Sequence, residues 1–110
     1  MEKLVKGEVV VIPFPFSDLS ASKKRPALVI ASVEGDDVIL CQITSKMHYD
    51  KHSITLENID FTQGNLQQPS MIRPNKIFTA HLSLISHKVG SIKESKRKEI
   101  EQVLIRLFTR

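Results

Sequence analysis

The first apolar stretch of the chain, Val9-Val10-Val11-Ile12, is a β-branched run that predicts a buried strand, stopped by Pro13 and Pro15. Pro13-Phe14-Pro15-Phe16-Ser17-Asp18 and the polar residues from Leu19 to Lys24 predict a loop of about a dozen residues, a length often reserved for function. Ala27-Leu28-Val29-Ile30-Ala31 predicts a second strand and Val38 to Thr44 a third. The turn Glu34-Gly35-Asp36-Asp37 joins them into a hairpin, with Gly35 free to take positive φ. Ser45 to Lys51 is polar, Ser53-Ile54-Thr55-Leu56 reads as a short fourth strand, and Asn58 to Pro69 is rich in turn residues. Ser70 to Thr79 predicts a fifth strand disturbed by Pro74, His81 to Ile85 fits a single helical turn, and Lys88-Val89-Gly90 a further short strand.

The end of the chain changes period. Ile100, Val103, Leu104, Leu107 and Phe108 recur at helical spacing, while Lys96, Arg97, Lys98, Glu99 and Glu101 populate the other side. Ser91-Ile92-Lys93-Glu94 has the form of a capping box, which places the helix N-cap at Ser91. Several short strands and one closing helix, without repeat or linker, predict a single mainly β domain over residues 1–110: a small, strongly curved antiparallel sheet or barrel.

Composition adds limits. The hydrophobic share of 41% and charged share of 25% over 110 residues are those of an ordinary globular domain. No apolar run approaches the ~18 residues of a membrane span, and Met1 to Lys6 lacks a signal-peptide core, so a cytoplasmic protein without membrane contact is expected. Cys41, the lone cysteine, has no disulfide partner within the chain. Neither a metal-ligand spacing, a glycine-rich phosphate loop, a nucleophile elbow nor a paired-carboxylate motif is present, which disfavours metal- and nucleotide-dependent enzymes.

Charge is informative through its distribution. The formal net charge is +4, and two stretches hold no acid: Leu19 to Val33, with Lys23-Lys24-Arg25, and the residues between Asp60 and Glu94, with Arg73, Lys76, Lys88 and Lys93. Such stretches suit a polyanion and equally a solvated surface. Within them Arg25-Pro26 and Arg73-Pro74 each set a guanidinium on a main chain that proline restricts to extended conformations. A guanidinium so presented suits phosphate, through two parallel hydrogen bonds, or a neighbouring carboxylate. Thr44, at a strand end, shares side-chain parity with Gln42, and Ile39, Cys41 and Ile43 face the other way. His48, His52, His81 and His87 bring imidazoles that titrate near neutrality, or serve as surface and packing residues.

Taken in order, Gly7-Glu8-Val9-Val10, Lys24-Arg25-Pro26-Ala27-Leu28-Val29-Ile30, Gln42-Ile43-Thr44, Ser70-Met71-Ile72-Arg73-Pro74-Asn75-Lys76-Ile77-Phe78-Thr79 and Val89-Gly90-Ser91-Ile92 resemble the MazF/PemK family of toxin endoribonucleases. The resemblance covers nearly the whole chain, and the Phe14-Pro15-Phe16-Ser17-Asp18 loop is similar to one branch of the family. It implies a small SH3-like barrel of the MazF/PemK/CcdB type with a C-terminal helix. It also implies a homodimer that cuts single-stranded RNA without metal or other cofactor, and an antitoxin partner whose acidic flexible tail covers the RNA groove. Binding of DNA by the toxin–antitoxin complex belongs to the same picture.

By position, the resemblance makes Arg25 and Thr44 catalytic and gives Arg73 a place at the active site. Ser17, Lys23, Lys24, Lys46, His48, Asn75 and Lys76 are the residues expected to position RNA. Asn75 departs from relatives that carry an aspartate there; an amide cannot shuttle a proton as a carboxylate does, so either Arg25 and Thr44 suffice, His48 or His52 assists, or activity is weak. Two other readings stand beside the nuclease: a non-catalytic RNA- or partner-binding barrel, and an inhibitor of the gyrase-poison type. The latter relies on a C-terminal tail containing Trp, whereas this chain has no Trp and ends Leu107-Phe108-Thr109-Arg110.

Overall fold

The computed structural model describes residues 3–13, 23–47 and 49–110. The strands are β1 (Glu8–Pro13), β2 (Lys24–Ser32), β3 (Asp37–Thr44), β4 (Ile54–Leu56), β5 (Phe61–Gly64), β6 (Ser70–His81) and β7 (His87–Ile92), and a helix, α1 (Glu94–Thr109), follows them. Single 3-10 turns lie at Asn58–Asp60 and Leu82–Leu84. The strands form one sheet in the order β4-β6-β3-β2-β1-β7-β5, and every neighbouring pair is antiparallel.

That order requires a curled sheet. β4 and β5 lie at its opposite edges, yet only residues 57–60 separate them along the chain. Leu56 of β4 and Phe61 of β5 share one buried cluster with Val9, Leu28, Cys41, Ile43, Ile72 and Ile92, and α1 contributes Ile100 and Val103 to it. The sheet therefore bends into a half-barrel that α1 fills. Its other face carries a second cluster, in which Val10, Ile12, Ala27, Val29, Val38 and Leu40 meet Leu4, Phe78, Ala80 and Ile85. Alternate residues of β3 serve the two clusters, with Val38 and Leu40 on one face and Cys41 and Ile43 on the other, as strand geometry requires. The mainly β class with a C-terminal helix is the architecture observed.

Local expectations fare unevenly. Pro74 does disturb its strand: Gln42 pairs with Arg73 but Cys41 with Ile77, so Pro74, Asn75 and Lys76 form a bulge in β6. The region from Asn58 to Pro69 holds a strand as well as turns, because Phe61 and Gln63 pair with Ile92 and Ser91. Ser91 is consequently not the helix N-cap. It pairs within β7 against Glu8 and Gln63, and the Ile92 and Lys93 amides donate to the carbonyls of Gly7 and Asp60 at 2.9 and 2.8 Å. The sheet ladder holds this backbone extended, so Lys93 becomes the N-cap and its side chain makes no capping bond. At the other end, α1 outruns its core: Ile100 and Val103 are buried, whereas Phe108 is 70% exposed.

Candidate nucleic-acid groove

The site is built where β2 begins and β3 ends. β1 holds the start of β2 through the pairs Val11 with Pro26, Ile12 with Arg25 and Pro13 with Lys24. On the other side Ala27 pairs with Gln42 and Leu28 with Cys41. Two residues further along this register Arg25 comes level with Thr44. Both line a groove of about 590 Å³. Its lining also includes the apolar Val11, Pro26, Ile43 and Val89, the cations Lys23 and Lys24, the segment from Asn65 to Gln68, and Ser45, Ser70 and His87.

No carboxylate lines this groove among the described residues. The lining at 23–26 comes from the first acid-free stretch of the sequence, and residues 65–89 come from the second. The lining cations are thus uncompensated within the groove, an arrangement that favours an anion. Thr44 is buried, and its Oγ1 accepts the Lys46 amide proton at 3.1 Å. That bond uses a lone pair and not the hydroxyl proton, so Thr44 keeps a donor for an anionic oxygen.

The structure thus brings together Lys23, Lys24, Arg25 and Thr44 in the groove lining, which among the described residues does not include Arg73, Lys46, Asn75 or Lys76. Arg73 does not line the groove. It shares the sheet face of Gln42, its cross-strand neighbour, and its Nη2 lies 3.4 Å from Asp50 Oδ2. Its Nε is buried without a hydrogen-bond partner among the described residues. Asn75 and Lys76 are exposed on the β6 bulge, and Lys46 is exposed on the turn after Thr44. His52 lines a separate depression against the end of α1, with Lys51, Arg106 and Arg110. Ser17 and His48 lie outside the described residues.

Asp50 was not singled out from the sequence. Asp50 accepts the amides of His52 and Ser53 at 2.9 and 2.7 Å, and the Ser53 hydroxyl at 3.2 Å. These bonds, first the His52 amide and then the Ser53 amide, with a smaller share from the Arg73 charge, hold its carboxyl at about 2. An Asp followed by Ser three residues on is a turn-forming pattern that could have marked it. His87 is one of the four histidines of the sequence, and the placing of β7 beside β1 is what brings it to the groove.

Other chemistry is sparse. Cys41 is buried, and desolvation pushes its thiol up to about 12, which removes it as a nucleophile near neutrality. The described residues contain no group of three or more His, Cys, Asp or Glu arranged to hold a metal ion. None of the described helices is long and apolar enough to cross a membrane.

Solved structures share this fold at low sequence identity. A Mycobacterial endoribonuclease in complex with its cognate antitoxin superposes with a TM-score of 0.73 at 11% identity, covering 98% of each chain. The Mycobacterium tuberculosis toxin MazF-mt6 gives 0.73 at 14% identity, over 92% of this chain and 95% of that one. A further Mycobacterial endoribonuclease gives 0.73 at 15%, over 98% and 93%. Comparison with curated protein sequences yields no match. The family model of the PemK-like, MazF-like toxins of type II toxin–antitoxin systems matches residues 5–108. With nearly its whole length so matched, on a half-barrel of the same architecture, the chain belongs to that toxin family.

Proposed function

We propose that this protein is a sequence-selective, metal-independent endoribonuclease, the toxin of a toxin–antitoxin pair, that cleaves single-stranded RNA in the cytoplasm. The observation that carries this reading is the placement of Arg25 level with Thr44 in a groove whose described lining holds cations and no carboxylate. Endoribonucleases of similar fold point the same way.

In the proposed reaction the RNA 2′-oxygen attacks the adjacent phosphorus and the bond to the 5′-oxygen breaks. The products are a 2′,3′-cyclic phosphate, or the 3′-phosphate from its hydrolysis, and a 5′-hydroxyl end. Arg25 stabilises the charge that builds on the phosphorane, as a fixed guanidinium suits. A guanidinium is a fixed cation with donors only, which makes it an anchor for that charge and a poor base. Thr44 donates its hydroxyl proton to a non-bridging oxygen. Arg73 is the second phosphate anchor and exchanges Asp50 for the substrate. Lys23 and Lys24 hold the strand in the groove, and Lys46, Asn75 and Lys76 extend its path together with Ser17 and His48.

The working form is a homodimer, and the same uncompensated cations receive the acidic tail of the antitoxin. A similar fold seen with its cognate antitoxin supports that partner. A second reading, a barrel that binds RNA without cutting it, is favoured by Asn75, whose amide stands where a proton-shuttling carboxylate would serve.

The test is to incubate the purified protein with a long RNA in EDTA and map new 5′ ends. Discrete cuts that Arg25→Ala abolishes are the expected result. Intact RNA beside a folded, RNA-binding protein would leave the binding reading in its place.

A further inference from the structure

Transfer of the phosphoryl bond to the 2′-oxygen leaves the departing 5′-oxygen in need of a proton, and Arg25 and Thr44 do not supply it readily. Among the described lining groups, Lys23, Lys24 and Arg25 bring ammonium and guanidinium cations, and the rest besides His87 are hydroxyls, amides and apolar side chains. His87 brings the one imidazole among them, the side-chain type that most often serves as a general acid or base. Its position fits the task. His87 pairs with Val11, and Val11 pairs on its other side with Pro26. His87 therefore stands two strands across from the Arg25–Pro26 step, a backbone separation of about 10 Å, and the two side chains line the groove from opposite flanks of β1.

The ring is also oriented. Ser86 Oγ lies 3.1 Å from His87 Nδ1, and the Lys24 ammonium donates to Ser86 Oγ at 3.4 Å. The Ser86 amide is fixed in turn by the Val11 carbonyl at 2.8 Å. Engaging Nδ1 in this way assigns the substrate role to Nε2.

We infer that His87 is a catalytic residue of this groove, the general acid that gives its Nε2 proton to the departing 5′-oxygen; this inference rests on the nuclease reading. As the 2′-oxygen–phosphorus bond forms and the phosphorus–5′-oxygen bond breaks, the 2′-hydroxyl proton passes to water. The imidazolium proton moves to the 5′-oxygen, and the neutral ring takes a proton back from solvent.

The test uses two oligonucleotides spanning a mapped cut site, one with the ordinary linkage and one with sulfur in place of the bridging 5′-oxygen. A thiolate departs without protonation. His87→Gln should slow the ordinary linkage by about 10²-fold or more and cut the sulfur linkage within a few-fold of the unaltered protein. The ratio of the two rates within one preparation does not depend on the fraction folded, and His87→Asn should give the same ratio. Equal slowing of both linkages, or none, overturns the inference while Arg25→Ala still abolishes cleavage. An unaltered protein that cuts neither linkage overturns the nuclease reading, and the role of His87 falls with it.

Discussion

The Arg73 guanidinium and the Asp50 carboxylate meet at 3.4 Å, one from β6 beside its bulge and the other from the loop between β3 and β4. Asp50 is primarily a turn residue, since two backbone amides and a hydroxyl bind it, and Arg73 adds charge to a carboxylate already fixed. Arg73 is thus held beside a carboxylate that the turn itself fixes.

A pH dependence follows from that turn. The Asp50 carboxyl is lowered from 3.8 to about 2 on folding. A depressed folded value means the contribution is present in full above pH ~4 and disappears as pH falls through about 2. At so exposed a site it amounts to no more than about 1 kcal/mol. Asp50→Asn should therefore lower stability at pH 6, and the gap to the unaltered protein should close as the pH approaches 2. Urea unfolding at a series of pH values measures the gap; a constant gap across that window would refute the assignment.

Binding of RNA should weaken with salt. Among the described residues three cations line the groove, Lys23, Lys24 and Arg25, so a single strand contacting these three gives a log–log slope of about −2, at about −0.7 per phosphate. Lys23→Ala with Lys24→Ala should bring the slope to about −0.7 and weaken all sequences alike. Fluorescence anisotropy with an uncleavable RNA between low and high salt reads both quantities. An affinity insensitive to salt would remove the electrostatic grip.

The groove was legible in the sequence as far as local physics carries it. The two acid-free stretches, the strand ending at Thr44 and the arginine before Pro26 were each visible, though a solvated surface fitted them equally, and the ladder between β2 and β3 is what joins them. What sequence could not supply was the neighbour relation between distant segments. Residues 65–68 reach the groove because β5 pairs with β7, and His87 reaches it because β7 pairs with β1. The shared proline context of Arg25 and Arg73 sets backbone direction and leaves phosphate and carboxylate open as partners; only the resemblance gives Arg73 a place at the active site, and in the structure its neighbour is Asp50.

The helix start shows how tertiary pairing overrides a local motif. Were Ser91 the N-cap, its replacement by Ala would cost about 1 kcal/mol. Because Ser91 lies within β7 and Lys93 caps α1, Ser91→Ala should change stability by less than about 0.5 kcal/mol. Urea denaturation distinguishes the two values, and a loss near the larger figure would return the cap to Ser91.

Gly64 is the residue on which the segment from Asn65 to Gln68 turns. It ends β5 with φ at +71°, and that segment follows it directly into the groove lining. A methyl group there would collide with the Val89 carbonyl oxygen and come within 2.8 Å of the Gly90 Cα. Neither atom is a flexible side chain that could swing aside, and the left-handed backbone is itself unfavourable for alanine. Gly64→Ala should therefore cost about 1–3 kcal/mol, read as a lower urea midpoint. Because Val89 also lines the groove, the same change should weaken RNA binding under conditions where the protein remains folded. Gly35, with φ at +81° and nothing within 4 Å of its added carbon, supplies the control: Gly35→Ala should pay only for the backbone conformation, about 1 kcal/mol, and leave RNA affinity unchanged. Equal effects of the two substitutions on binding would show that the groove lining does not depend on the close approach at Gly64.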